Sequence, residues 1–123
     1  MTSRKIKIYV DGPELKEIKN FQNFDGFTFN PSLFKKLGAT DYLEFSKKII
    51  VETKGKPISI EVFADDYDTC LYQAQKINDL GKNVFVKIPI TYTNGESTVK
   101  LIKKLSSDGV KLNITAIFTL NQI

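Results

Sequence analysis

The sequence predicts an α/β protein in which repeating βα units build a parallel sheet. Two observations predict it. Apolar runs of four to eight residues alternate with amphipathic segments of ten or more, the pattern left by strands joined through crossover helices. Within each run, polar residues keep to one of the two alternating positions, so one face of the sheet can pack on helices while the other is polar. With 123 residues, 41% hydrophobic and 26% charged, the chain is long enough for one domain with its own core and is not disordered in composition. No Gly/Ser linker or composition break divides it, so residues 1–123 are read as a single domain.

The first strand is "KIKIYV" (5–10). Pro13 suits a first helical turn and opens "PELKEIKNF". "GFTF" (26–29) is the second strand, and the short helix "PSLFKKL" (31–37) after it ends at Gly38, a good left-handed cap. The next helix is "TDYLEFSKKIIVETK" (40–54). Thr40 stands at its N-cap, Tyr42, Leu43, Phe45, Ile49 and Ile50 lie along one face, and Gly55 closes it. "PISIEVF" (57–63), "NVFVKI" (83–88) and "KLNITAIF" (111–118) read as three more strands. Between them come the helices "DYDTCLYQAQKINDL", ending at Gly81, and "NGESTVKLIKKLSSD", ending at Gly109. "TLNQI" stands where a fifth crossover should begin.

Every strand shows the same parity. Ile6, Ile8 and Val10 share a face opposite Lys7, Tyr9 and Asp11; Phe27 and Phe29 oppose Thr28 and Asn30. Ile58, Ile60 and Val62 oppose Ser59, Glu61 and Phe63, and Val84, Val86 and Ile88 oppose Phe85 and Lys87. Leu112, Ile114 and Ala116 oppose Asn113, Thr115 and Ile117. The polar groups Asp11, Asn30, Glu61 and Lys87 fall at or near the C-terminal ends of their strands, where parallel α/β folds hold their ligands; Asn113 and Thr115 come earlier in theirs. Taken singly, each has a plainer use. Asp11 and Asn30 could cap the segments that follow, Glu61 and Lys87 could form a structural ion pair, and Asn113 and Thr115 could be ladder neighbours. The shared parity of six polar groups is what points to a site.

Composition narrows the chemistry. There is no histidine, which excludes His-based triads and histidine zinc ligands. The single cysteine, Cys70, cannot form an internal disulfide and reads as small apolar filler in a reducing, cytoplasmic setting. A net charge of +4 comes with lysine pairs on helix-like segments and with no nucleic-acid-binding motif, so no nucleic-acid partner is expected. No run approaches the roughly 18 apolar residues of a membrane span, so no membrane partner is expected either. A lysine enclosed in a pocket loses solvation, which favours its neutral, nucleophilic form. A neutral amine condenses with a ketone or aldehyde to a Schiff base, and neighbouring carboxylates can move the protons. That inventory needs no metal and no organic cofactor.

"FTFNPSLF", "SIEVFADD", "VFVKIPIT" and "LNITAIF" follow one another in the order and spacing of the transaldolase and fructose-6-phosphate aldolase family, which the chain resembles along nearly its whole length. The resemblance implies a TIM-type (β/α)8 barrel, of which five strands are present, and a Schiff-base transferase. Its substrates would be sugar phosphates of the pentose phosphate pathway, between which it moves a dihydroxyacetone unit, or a ketose phosphate that it cleaves in an aldol reaction. It makes Lys87 the Schiff-base lysine, Asp11 the acid/base aspartate, and Glu61 the glutamate that works through a water. Asn30 contacts the donor, Thr28 and Ser32 flank it in the same motif, and Asn113 and Thr115 form the Asn-x-Thr pair of the fifth strand. Glu61 with Asn113 is more similar to transaldolases than to fructose-6-phosphate aldolases, which tend to carry glutamine there.

Two departures from the family pattern are expected to touch the donor pocket. Phe29 replaces the second threonine of Thr-Thr-Asn-Pro-Ser, and Gly12-Pro13 follows Asp11 where threonine is usual. A (β/α)8 barrel needs about 250 residues, so the chain reads as a truncated, N-terminal part of one, weak or inactive alone. Its open edges could be closed by homo-oligomerisation. A non-catalytic sugar-phosphate binder is the alternative, and a (βα)5 signalling module ranks below both.

Overall fold

The computed structural model describes residues 6–21, 23–36, 38 and 41–123. Among them a single sheet has strand order β1-β2-β3-β4-β5, with every pairing parallel. The strands are β1 (Tyr9–Asp11), β2 (Gly26–Phe29), β3 (Ile58–Glu61), β4 (Val84–Pro89) and β5 (Leu112–Thr115). A 3-10 helix (Leu15–Phe21) joins β1 to β2. Helices α1 (Pro31–Lys36) and α2 (Tyr42–Glu52) precede β3, α3 (Tyr67–Asn78) precedes β4, and α4 (Val99–Ser107) precedes β5.

The apolar parity makes the core. Phe27, Phe29, Ile58, Ile60, Val84 and Val86 are fully buried, and Ile49 of α2, Ala74 of α3 and Leu101 of α4 belong to the same cluster. Each large side chain contributes roughly 1.5–3 kcal/mol by leaving water. β1 departs from this. The strand expected from Lys5 begins at Tyr9; Ile6 and Ile8 before it are 75% and 41% exposed, while Val10 packs against the core.

The strands are staggered as a barrel requires. Ser59 pairs in register with Phe85, and Asn113 with Lys87. Yet Asn113 Nδ2 donates to Ser59 Oγ at 3.0 Å, across β4. Two strands therefore carry a shift of two residues, the stagger of about one residue per strand found in an eight-stranded barrel. The architecture is that of five successive strands of a TIM-type barrel.

Several boundaries fall elsewhere than the sequence pattern sets them. Lys5, Leu37 and the expected cap Thr40 lie outside the described residues; the α2 cap is Asp41, whose Oδ1 accepts from Glu44 N at 3.0 Å. The segment after Pro13 is a 3-10 helix rather than an α-helix. The helix expected from Asn94 begins at Val99. Asn94-Gly95 instead makes a turn with Gly95 at φ +87°, in which Tyr92 N donates to Glu96 O at 2.9 Å. β5 stops at Thr115 rather than 118, because Ala116 takes φ +60° and breaks the alternation. The final segment forms a short 3-10 turn, Leu120–Gln122, where a fifth crossover was expected.

Candidate active site

The polar parity converges on one face. Glu61, Lys87 and Asn113 are direct neighbours in register across β3, β4 and β5. Asp11, Thr28 and Ser59 form the row beneath, across β1, β2 and β3. The stagger brings Asp11 up to the level of Glu61, two strands away.

Lys87 and Glu61 are largely enclosed, with side-chain exposures of 12% and 18%, and Lys87 Nζ lies 4.0 Å from Glu61 Oε2. That distance is the outer limit of an ion pair and leaves the amine without a tight carboxylate contact. Burial pushes the Glu61 carboxyl above its ordinary 4.5; Lys87 opposes the rise and Asp11 adds to it. Asp11 does not cap the next segment. Its Oδ1 accepts from Thr28 Oγ1 at 2.6 Å, which orients the carboxylate over the second strand.

Asn30 does cap a helix. Its Oδ1 accepts from Leu33 N at 2.9 Å, at the start of α1. Because a backbone N–H can only donate, the amide is fixed with Nδ2 as the end left for a ligand. Ser32 is exposed in the first turn of α1. Thr115 is half-buried opposite Pro89 at the end of β5, and its carbonyl accepts from Ile90 N at 3.0 Å.

An open cavity of about 540 Å³ lies at the strand C-termini, lined by Pro31, Glu61, Ala64, Pro89 and Tyr92 among others. A smaller cleft of about 340 Å³ is lined by Tyr9, Ser59, Phe85 and Asn113. Among the described residues, no group of three or more His, Cys, Asp or Glu is arranged to hold a metal ion. The arrangement offers an enclosed amine, a carboxyl that burial raises above its ordinary 4.5, a second acid and several amide or hydroxyl groups.

Residues 8–123 match the family Transaldolase/Fructose-6-phosphate aldolase. The chain belongs to that family. A probable transaldolase of Brucella anthropi is 38% identical over 95% of the chain, which covers 52% of that protein. One from Methanococcus vannielii is also 38% identical, with 95% of the chain and 53% of the relative covered. One from Ruegeria sp. (strain TM1040) is 37% identical, with 95% and 52% covered. The chain thus spans about half the length of the curated relatives it matches. Among the described residues, no helix is long and apolar enough to cross a membrane.

The two departures from the family pattern fall in different places. Phe29 does not reach the donor side. It is fully buried in the helix-facing core, its ring 5.1 Å from that of Phe34. Its parity, opposite Thr28 and Asn30, already implied this. Gly12 sits at the mouth of β1 with φ +61°, and a Cβ there would lie 2.8 Å from Leu33 Cδ1. The glycine lets the β1 exit pack against α1.

Three residues around the site were not singled out as site candidates from the sequence. Ser59, 2% exposed, lies beneath Glu61 and holds Asn113. Tyr9 packs over Gly26, where a Cβ would meet its ring at 2.9 Å. Tyr42, read from its spacing as one more apolar position of α2, donates its hydroxyl to the backbone carbonyl of Glu61. Ser59 and Tyr9 were visible as members of the polar parity. Tyr42 was not.

Proposed function

We propose that this chain carries the imine-forming part of a Schiff-base transaldolase, acting as one domain that supplies the first five βα units. The observation that carries the reading is the enclosed Lys87 amine beside Glu61, on the polar face and near the strand C-termini. Lys87 Nζ attacks the C2 carbonyl of a ketose phosphate to give a carbinolamine. Glu61, acting through a water, supplies the proton with which hydroxide leaves as water, and an iminium remains. Asp11 then takes the proton of the C4 hydroxyl, the C3–C4 bond breaks, and its electrons flow into the iminium to give an enamine. The aldose phosphate departs, and the bound dihydroxyacetone unit adds to an acceptor aldehyde, or takes a proton and is hydrolysed in simple aldol cleavage.

Asn30 Nδ2, Asn113, Thr28 and Thr115 offer hydrogen bonds to the substrate hydroxyls, with Ser32 at the edge of the set. The lone, buried Cys70 suits a cytoplasmic, reducing setting. Borohydride reduction in the presence of a ketose phosphate, followed by peptide mass analysis, should leave the reduced adduct on Lys87. A ketose phosphate that binds yet leaves Lys87 unmodified would eliminate the mechanism and leave the non-catalytic binder. In that case calorimetry should show binding that survives Lys87→Ala.

A further inference from the structure

The Glu61 carbonyl lacks a ladder donor from β2. Phe27 N donates to Pro57 O at 2.9 Å, and the register runs on through Phe29 and Ile60. In a parallel ladder the donors of one strand recur every second residue. The next carbonyls of β3, at residues 59 and 61, therefore call for the amides of residues 29 and 31. Residue 31 is proline and has no N–H. β2 ends at Phe29 and the chain has already turned into α1 at Pro31, so β2 supplies no ladder donor to the Glu61 carbonyl.

Tyr42, at the start of α2, fills the gap with its hydroxyl. Its ring is held between Phe34 and Phe63, at 4.8 and 5.0 Å. Burial first, and then the Glu61 charge, keep the phenol protonated by pushing its pKa well above the ordinary 10.0. We propose that Tyr42 is a positioning residue: its hydroxyl fixes the backbone at Glu61, and so the carboxyl that faces Lys87, where β2 has ended and supplies no ladder bond. The inference rests on the reading of Glu61 as a proton-transfer group. The titratable groups that act on the Glu61 carboxyl are Lys87 of β4 and Asp11 of β1, and Tyr42 of α2 meets its backbone.

Tyr42→Phe keeps the ring and removes only the donor. A buried carbonyl left without a partner recruits water, and that water also solvates the neighbouring carboxylate. In the variant the Glu61 carboxyl, followed by carbon-13 NMR, should titrate lower, nearer to its ordinary value. The acid limb of the pH profile for borohydride trapping should move with it, while the plateau yield changes less. An unmoved Glu61 titration, with or without a loss of thermal stability, overturns the proposal, because packing alone would then account for Tyr42. If the unaltered chain gives no Lys87 adduct, the imine chemistry fails, and the titration still decides the role of Tyr42. If the variant does not fold, the unaltered chain decides. A slowly exchanging Tyr42 hydroxyl proton supports the contact, and a freely exchanging one removes it.

Discussion

Replacing Lys87 by methionine keeps most of the apolar stem and deletes the charge, which isolates the part the amine plays in stability. At 4.0 Å two unit charges attract by about 1 kcal/mol in a water-like dielectric and about 4 kcal/mol at an effective dielectric near 20. Breaking a fully buried pair costs about 3–5 kcal/mol. Side-chain exposures of 12% and 18% leave some hydration, so a loss of about 1–3 kcal/mol at neutral pH is expected. The pH dependence identifies its source. Lys87 holds Glu61 down against burial and Asp11; without it the folded-state carboxyl rises further above 4.5. A carboxyl raised on folding stabilises the fold while protonated, and that contribution is lost as pH climbs through the folded value. Urea unfolding over a pH series should therefore show no deficit well below 4.5 and a deficit that opens toward neutrality. Adding Glu61→Gln to Lys87→Met should remove most of that pH-dependent loss, giving a double-mutant cycle with a clear coupling energy. A deficit that stays constant across the series would mean that the lysine stem, not its charge, is what the fold loses.

Two further changes test the frame that holds the site. Asn83→Ala removes an amide that donates to Thr53 Oγ1 at 3.0 Å and to Lys56 O at 2.7 Å, and should cost roughly 1–3 kcal/mol in urea unfolding. A loss under about 0.5 kcal/mol would show that water replaces both bonds. Gly12→Ala meets both a left-handed backbone and Leu33 and should destabilise by about 1–2 kcal/mol from conformation alone. Leu33→Ala in the same chain should recover only the steric remainder, so full recovery would argue against backbone strain.

The sheet was legible because the period-2 alternation is a direct image of a strand with two different faces. The same alternation disclosed Asp11, Glu61, Lys87 and Asn113, since side chains of one parity on neighbouring parallel strands have to share a surface. Ends of elements were less legible. Whether Asn94-Gly95 opens a helix or a turn depends on Tyr92 and Glu96 meeting across it, and Ala116 gives no local sign of its left-handed backbone. The exposed Ile6 and Ile8 look like core residues in sequence, because periodicity says which face is apolar and not what covers it.

Tyr42 marks a subtler boundary. Its helical spacing places it on the buried face, and its ring does pack there, so the apolar reading is right for every atom except the hydroxyl. The need for that hydroxyl lies elsewhere, in a second strand that ends at Phe29 and leaves the Glu61 carbonyl without a ladder donor. Such a link becomes readable once the register is known, because register decides which carbonyl each missing donor would have met. The same logic separates the two family departures. Phe29 lies on the core parity and can change size only by repacking against Phe34, so its influence is on stability. Gly12 follows Asp11 directly, and its left-handed backbone and close approach to Leu33 set the path of the chain as it leaves the acid. Parity and register together, more than residue type, decide which of these substitutions lies in the helix-facing core and which beside the polar face.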